Sequence, residues 1–248
     1  MNNLSLLTGA DIPFPEGRLI IHQPTIKEIG YVGENTFFLG CGFLSFSKDI
    51  LNDGDKSRLE KINDFNILMS IMLGKNIDKN LQESIDSAQQ VLLLLFPNND
   101  ITFEAEQIKI GEGFINKDNF ANFKQVLKEM FQLSFKNDGV QKEYKPANSA
   151  AAAIAEKLKK RHEKLAKVNG TDSKNIQIFG RYMSIISTYQ GTSYLDLCQY
   201  TVFQLYDIFN RIQLKIAYDM AIQAKMAGAK DVKNPDDWMK DLYKKQNK

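Results

Sequence analysis

Two imidazoles and two thiols, His22, His162, Cys41 and Cys198, are the only residues of their kinds in the chain. They would have to supply any nucleophile–base pair or soft metal site. A serine or cysteine triad needs an imidazole within reach of the nucleophile and oriented by a third group. Neither histidine has that context: His22 is followed by Gln23 and Pro24, and His162 sits in a run of lysines and arginines. Both read as surface residues. Cys41 and Cys198 are far apart and each lies in an apolar stretch, whereas a zinc site wants more ligands at closer spacing. Both read as reduced core residues.

Glycine and carboxylate patterns fare no better. Gly40-Cys41-Gly42 lacks the third glycine, opening a helix after a strand, that a dinucleotide site needs. Residues 53–64 faintly follow a calcium loop, but Arg58 and Asp64 stand where glycine and glutamate are required. Asp236 and Asp237 read as favourable charges in the first turn of a helix. The sequence therefore predicts no catalytic residue, no metal site, no cofactor and no enzyme activity.

Charge narrows the partners. Lysines and arginines number 32 against 30 acidic residues, a net charge of +2, so the overall field favours neither nucleic acid nor an anionic membrane. The basic exception is residues 148–168, where Lys157, Lys159, Lys160, Arg161, Lys164 and Lys167 follow an alanine run. Glu156 and Glu163 interrupt that charge and only Ile154, Leu158, Leu165 and Val168 offer apolar surface. It reads as a solvated connecting helix. The apolar run Val91 to Phe96 is far short of the roughly 20 residues of a membrane span. The N-terminus lacks the basic segment, apolar run and cleavage site of an export signal. A cytoplasmic protein is expected.

The elements that must position these residues are mostly helices. Pro13, Pro15 and Gly17 make residues 1–17 non-helical, with a short extended arm at 18–23. Thr25 and Glu28 have capping-box spacing, so a helix starts at Ile26 and presents Ile26, Ile29, Tyr31 and Val32. Phenylalanines crowd residues 36–46, where Gly40 and Gly42 would admit another helix. Helical spacing recurs over 59–72, with Gly74 as a stop, and over 78–95, ended by Pro97. Residues 101–110 alternate as a hairpin with its turn at Glu106-Gln107, ending at Gly111-Glu112-Gly113. A helix around Phe120 to Phe131, capped by Asn116 or Asp118, follows.

The fold class is mostly α, with a minor β-hairpin and a short N-terminal extended arm. Polar residues at 138–148 read as a linker between an N-terminal mixed, mainly helical domain, 1–137, and a C-terminal helical domain, 149–248. The second domain holds an apolar helix at 176–189 and the chain's strongest periodicity at 200–228. There Val202, Leu205, Phe209, Ile212, Ile216 and Met220 share one helical face. A last helix is expected from Asn234, carrying Trp238 and Leu242.

Two stretches carry a family resemblance. LIIHQPTIKEIGYVGENTFF near the N-terminus and FQLYDIFNRIQLKIAYDMAIQAKMAGAKDVKNPDDWM near the C-terminus resemble phage and prophage tail assembly chaperones. The resemblance implies a mostly helical protein of the host bacterial cytoplasm that binds and solubilises the tape measure protein, or other phage tail proteins, and leaves before the tail is finished. Baseplate-assembly proteins have similar openings, so a structural tail or baseplate adaptor retained in the virion is the alternative. Self-association stays open. A chaperone for a long helical partner needs an adaptable apolar face. Met220, Gln223, Ala224, Met226, Ala227, Trp238 and Met239 are the residues expected to supply it, while the half from Val202 to Ile216 packs into the core.

Overall fold

The structure is a computed structural model and describes residues 3–48, 62–74, 78–133, 177–228, 238–239 and 242–243. Over these the chain is mostly helical, with two small antiparallel sheets. The predicted linker 138–148 and the basic stretch 148–168 lie outside the described residues.

The N-terminal arm departs from expectation at its first turn. Residues Asn3–Thr8 form a short helix, α1, although the stretch to Gly17 reads as non-helical. Six residues do not make a stable helix alone. Here burial of Leu6 and a hydrogen bond from the Gln204 side chain to the Leu7 carbonyl, 2.8 Å, hold the turn in place. The arm continues as strands β1 (Ile12–Phe14) and β2 (Leu19–Ile21), paired with Ile12 opposite Ile21.

Helix α2 (Ile26–Val32) starts at the predicted capping box. The Glu28 carboxylate accepts the Thr25 backbone N–H at 2.7 Å, and Thr25 Oγ1 accepts the Glu28 N–H. Ile26 and Ile29 are buried, but Tyr31 is 80% exposed, on the outer side of the helix. Helix α3 (Glu34–Leu44) then lies against a long helix, which we number α5 (Lys79–Leu95); α4 (Asp64–Met72) falls between them in sequence. Gly40 is where α3 and α5 meet most closely: a Cβ there would stand 2.3 Å from the Ser87 carbonyl oxygen. Gly42 faces open space, so only one of the two predicted contact glycines is used.

The predicted hairpin is two strands of three. Strands β3 (Ile101–Glu104) and β4 (Gln107–Ile110) turn at Ala105-Glu106, since Glu104 pairs with Gln107. Beyond β4 the chain does not leave the sheet at Gly113; that residue opens β5 (Gly113–Asn116), antiparallel to β4. Gly113 needs its missing side chain because the Gly17 carbonyl would lie 2.6 Å from a Cβ. Helix α6 (Phe120–Phe131) follows, with Asn119, not Asn116 or Asp118, at its N-cap. Asn119 Oδ1 accepts the Asn116 N–H at 2.8 Å, so its side chain braces the β5 turn instead of capping α6.

The C-terminal part comprises α7 (Ile178–Gln190), the short α8 (Tyr194–Leu197) and the long α9 (Val202–Met226). The Glu34 carboxylate, at the start of α3, accepts the Ile178 and Phe179 N–H groups and so caps α7. Burial pushes its pKa up, against the lowering effect of those two N–H groups. A second capping box, Thr201 with Gln204, opens α9. The two boxes are neighbours: the Ile26 N–H donates to the Tyr200 carbonyl and the Lys27 N–H to that of Cys198, each at 2.8 Å. One cluster of buried residues contains Phe37 and Phe123 together with Phe179, Phe203 and Ile212, so it draws on both sides of the predicted linker. Among the described residues no helix is long and apolar enough to cross a membrane.

Candidate functional site

Helix α9 has 25 residues and is therefore roughly 37 Å long at about 1.5 Å per residue. Its first half packs well. Phe179 and Tyr182 of α7 meet Tyr206 edge-on, and Tyr182 stacks on Phe209 at 4.0 Å. Burial pushes the Tyr206 phenol well above its ordinary pKa, so it stays neutral in this aromatic layer.

The stripe that faces the core does not stop where the core does. Val202, Leu205 and Ile212 are 1%, 0% and 3% exposed, but Ile216 and Met220, one and two turns further on, reach 40% and 65%. Gln223, Ala224 and Ala227 follow Met220 at three, four and seven residues, hence on the same side of the helix. Gln223 and Ala227 are exposed and Ala224 half-buried. Four exposed residues predicted as core or partner contacts, with half-buried Ala224 among them, thus share one side of the helix, Ile216 included although it was expected to be core.

Met226 and Trp238 do not join that face. Met226 is 83% exposed, but it lies six residues beyond Met220 and so about 120° around the helix. Trp238 is half-buried, its ring 5.6 Å from the Lys215 ammonium and its carbonyl oxygen accepting an Arg211 guanidinium N–H at 3.0 Å. Met239 beside it is 69% exposed. The described residues around Trp238 form a turn at 238–239 and a bend at 242–243, not the helix expected there.

Sequence reasoning missed the network that holds this segment. Tyr243 donates its hydroxyl to Asp207 at 2.7 Å, and its ring lies 4.8 Å from that of Phe203. Gln132, just past α6, reaches the same hydroxyl at 3.4 Å. Burial and the Asp207 carboxylate push the Tyr243 phenol well above its usual pKa, so it remains a donor at neutral pH. The signal was present: Phe203, Asp207, Arg211 and Lys215 stand four residues apart on one helical row.

The residues weighed for chemistry are placed as structural groups. His22 is no free surface residue; its Nδ1 is 2.9 Å from Asp11 and its Nε2 3.4 Å from Glu28, which ties the arm to the start of α2. Partial burial works to raise the Glu28 pKa, but the Thr25 N–H and hydroxyl and the His22 ring outweigh it and hold that carboxyl low. Cys41 is fully buried, and burial pushes its thiol well above the ordinary range. Cys198 is only half-buried, its thiol 3.1 Å from the Leu195 carbonyl at the end of α8; it is not a core residue. Among the described residues no group of three or more histidines, cysteines and carboxylates is placed to hold a metal ion.

Fold and site together define a helical protein with a long helix whose apolar stripe outruns its own core. Residues 171–243, which take in α7, α8 and α9 and end at Tyr243, are similar to a family described as the YomV second domain, which is phage-associated. No curated protein and no solved structure matches the chain.

Proposed function

We propose that this protein is a phage tail assembly chaperone that binds the tape measure protein through the open face of α9. The observation that carries the reading is the continuity of one stripe from buried Val202, Leu205 and Ile212 to exposed Ile216 and Met220. A helix face patterned for burial and left in water is energetically complete only when another apolar surface covers it. Its composition suits a long helical partner of varied sequence: the Met220 thioether adapts to irregular apolar surfaces, and Ala224 and Ala227 let a second helix approach closely. Similarity over residues 171–243 to a phage-associated domain supports the setting.

The chaperone acts without catalysis, metal or cofactor. It works in the host bacterial cytoplasm on the tape measure protein or another tail protein, not on nucleic acid or membrane. Co-purification with tape measure fragments from infected cells, together with mass spectrometry of purified virions, tests it. The chain is expected with the fragments and absent from finished particles. Recovery of the intact chain from mature tails at fixed stoichiometry overturns the chaperone role in favour of a retained tail or baseplate adaptor.

A further inference from the structure

The N-terminal arm, residues 3–11, is held by polar side chains that grip its backbone. Gln23, only 1% exposed, donates its Nε2 hydrogens to the Ser5 carbonyl at 2.9 Å and to the Ala10 carbonyl, and Gln204 at the start of α9 holds the Leu7 carbonyl. Apolar cover is thin: Leu6 is buried, but Leu4 and Leu7 of the same short helix are 62% and 42% exposed. Closing the arm also carries a cost. The Gln23 Oε1 is buried without a donor from the protein, and a carbonyl oxygen left unpaired away from water destabilises the closed state. One further contact can therefore decide whether such a segment stays down.

His22 supplies that contact. Its Nδ1 lies 2.9 Å from an Asp11 carboxylate oxygen and its Nε2 3.4 Å from Glu28. A neutral imidazole has one N–H and one lone pair, so one of the two carboxylates would face the lone pair; only the imidazolium donates to both. The charge on Glu28 is not demanded by its other task. In the second capping box Gln204 fills the same place with an uncharged amide, so capping α2 does not require a carboxylate at position 28, whereas a charged His22 finds its counter-ion there. Asp11 is the only titratable side chain of the arm. The end of α5 brings the Leu95 carbonyl, which accepts the His22 N–H at 2.9 Å, and its residues 91–97 are uncharged. Besides Glu28, α2 carries Lys27 and Tyr31, both exposed.

We propose that His22 is a proton-operated latch for the N-terminal arm: its imidazolium bridges Asp11 to Glu28 and keeps residues 3–11 closed over the start of α9, and loss of the proton lets them lift. Imidazoles change charge between about pH 5 and 8, which sets the working range. The double bridge exists only with the proton in place, so closure is favoured at the acid end and weakens as pH rises. Ile12 and Phe14 of β1 are buried and fix where lifting stops. Lifting uncovers the seat of Leu6 and frees the Gln204 amide of the α9 capping box from the Leu7 carbonyl. This inference rests neither on the open face of α9 nor on the chaperone reading.

The test is amide hydrogen exchange, read by mass spectrometry on the full chain over residues 3–11, at about pH 5.5 and about pH 8. Gly9 and Ala10 report on the arm because their N–H groups donate to the Leu6 and Ser5 carbonyls inside it. Wild type and His22→Gln are compared at each pH, which cancels the intrinsic pH dependence of exchange. At the acid end wild type should exchange roughly two- to fivefold more slowly than the variant, and at the higher pH the two should agree. Asp11→Asn should lose the same acid-end protection, which keeps the test readable if His22→Gln folds poorly. Glu28→Gln, which keeps the capping box, should lose part of it while the α2 amides stay protected. A ratio of wild type to His22→Gln that is the same at both pH values overturns the latch and leaves His22 a fixed structural contact. Full acid-end protection in Asp11→Asn overturns it as well.

Discussion

Asp64 shows how single side chains decide local stability. It forms an ion pair with Lys124, which joins α4 to α6, and accepts the Lys48 N–H at 3.1 Å. The same Lys124 ammonium donates to the Phe46 carbonyl and sits 5.1 Å above the Phe120 ring. Burial works to raise the Asp64 pKa, but Lys124 and the Lys48 N–H outweigh it and hold the carboxyl below its ordinary value. A carboxylate held low in the folded state stabilises above its unfolded pKa of about 3.9, and the contribution disappears as pH falls through the lower folded value. Asp64→Asn should therefore cost about 1–3 kcal/mol at neutral pH. Urea melts should find the gap to wild type closing below about pH 4; a gap that stays constant with pH would contradict the ionic role. His22 shows the limit of reading residue types alone: its lack of catalytic context was plain in sequence, but its place between Asp11 and Glu28 depends on β1 and α2 coming together.

Among elements, α3 and α5 give the sharpest contrast between two residues that look alike in sequence. Gly40 and Gly42 stand in the same helix, yet a Cβ at Gly40 would meet the Ser87 backbone and Val91 while one at Gly42 would meet nothing. Gly40→Ala should force the helices apart and cost about 1–3 kcal/mol. Gly42→Ala should stabilise by up to about 1 kcal/mol, because alanine loses less backbone entropy in a helix. Thermal melts followed by circular dichroism would read both, and effects of the same sign would refute the packing assignment. The Thr25–Glu28 capping box was legible at this scale because it is a local pattern, whereas the equally local Thr201–Gln204 box fell inside the helical stretch expected over 200–228. α1 and β5 were not legible, since α1 depends on Gln204 and burial of Leu6, and β5 on the close approach of Gly17.

At the scale of the molecule, α9 is a wall of the core in its first half and more exposed in its second, and the two halves should respond differently to mutation. Ile212→Ala removes a side chain that is 3% exposed and should cost about 2–5 kcal/mol. Met220→Asp, at a position 65% exposed, should change stability by no more than about 0.5 kcal/mol while weakening capture of tape measure fragments. Denaturation curves and pull-downs on the same two variants separate the effects. If Met220→Asp unfolds the protein, the open face belongs to the core and the binding reading fails. Met226→Asp is a useful companion, because its different azimuth predicts a smaller loss of binding than at Met220.

The sequence by itself determined what depends on neighbours along the chain: the helical class, the start of α2 at its cap, the stop of α5 before Pro97, the pairing of β3 with β4, and the apolar stripe of α9 with its change of character near Met220. Periodicity and capping act over three or four residues, so they are written in order. The tertiary structure alone decided what depends on which surfaces meet. It selected Gly40 over Gly42, turned Tyr31 outward, left Cys198 half-buried, and drew Trp238 and Tyr243 back onto α9 and away from the face of Met220. A helical repeat states that a stripe seeks cover; only the length of the body beside it sets where that cover ends, and for α9 it ends one turn after Ile212.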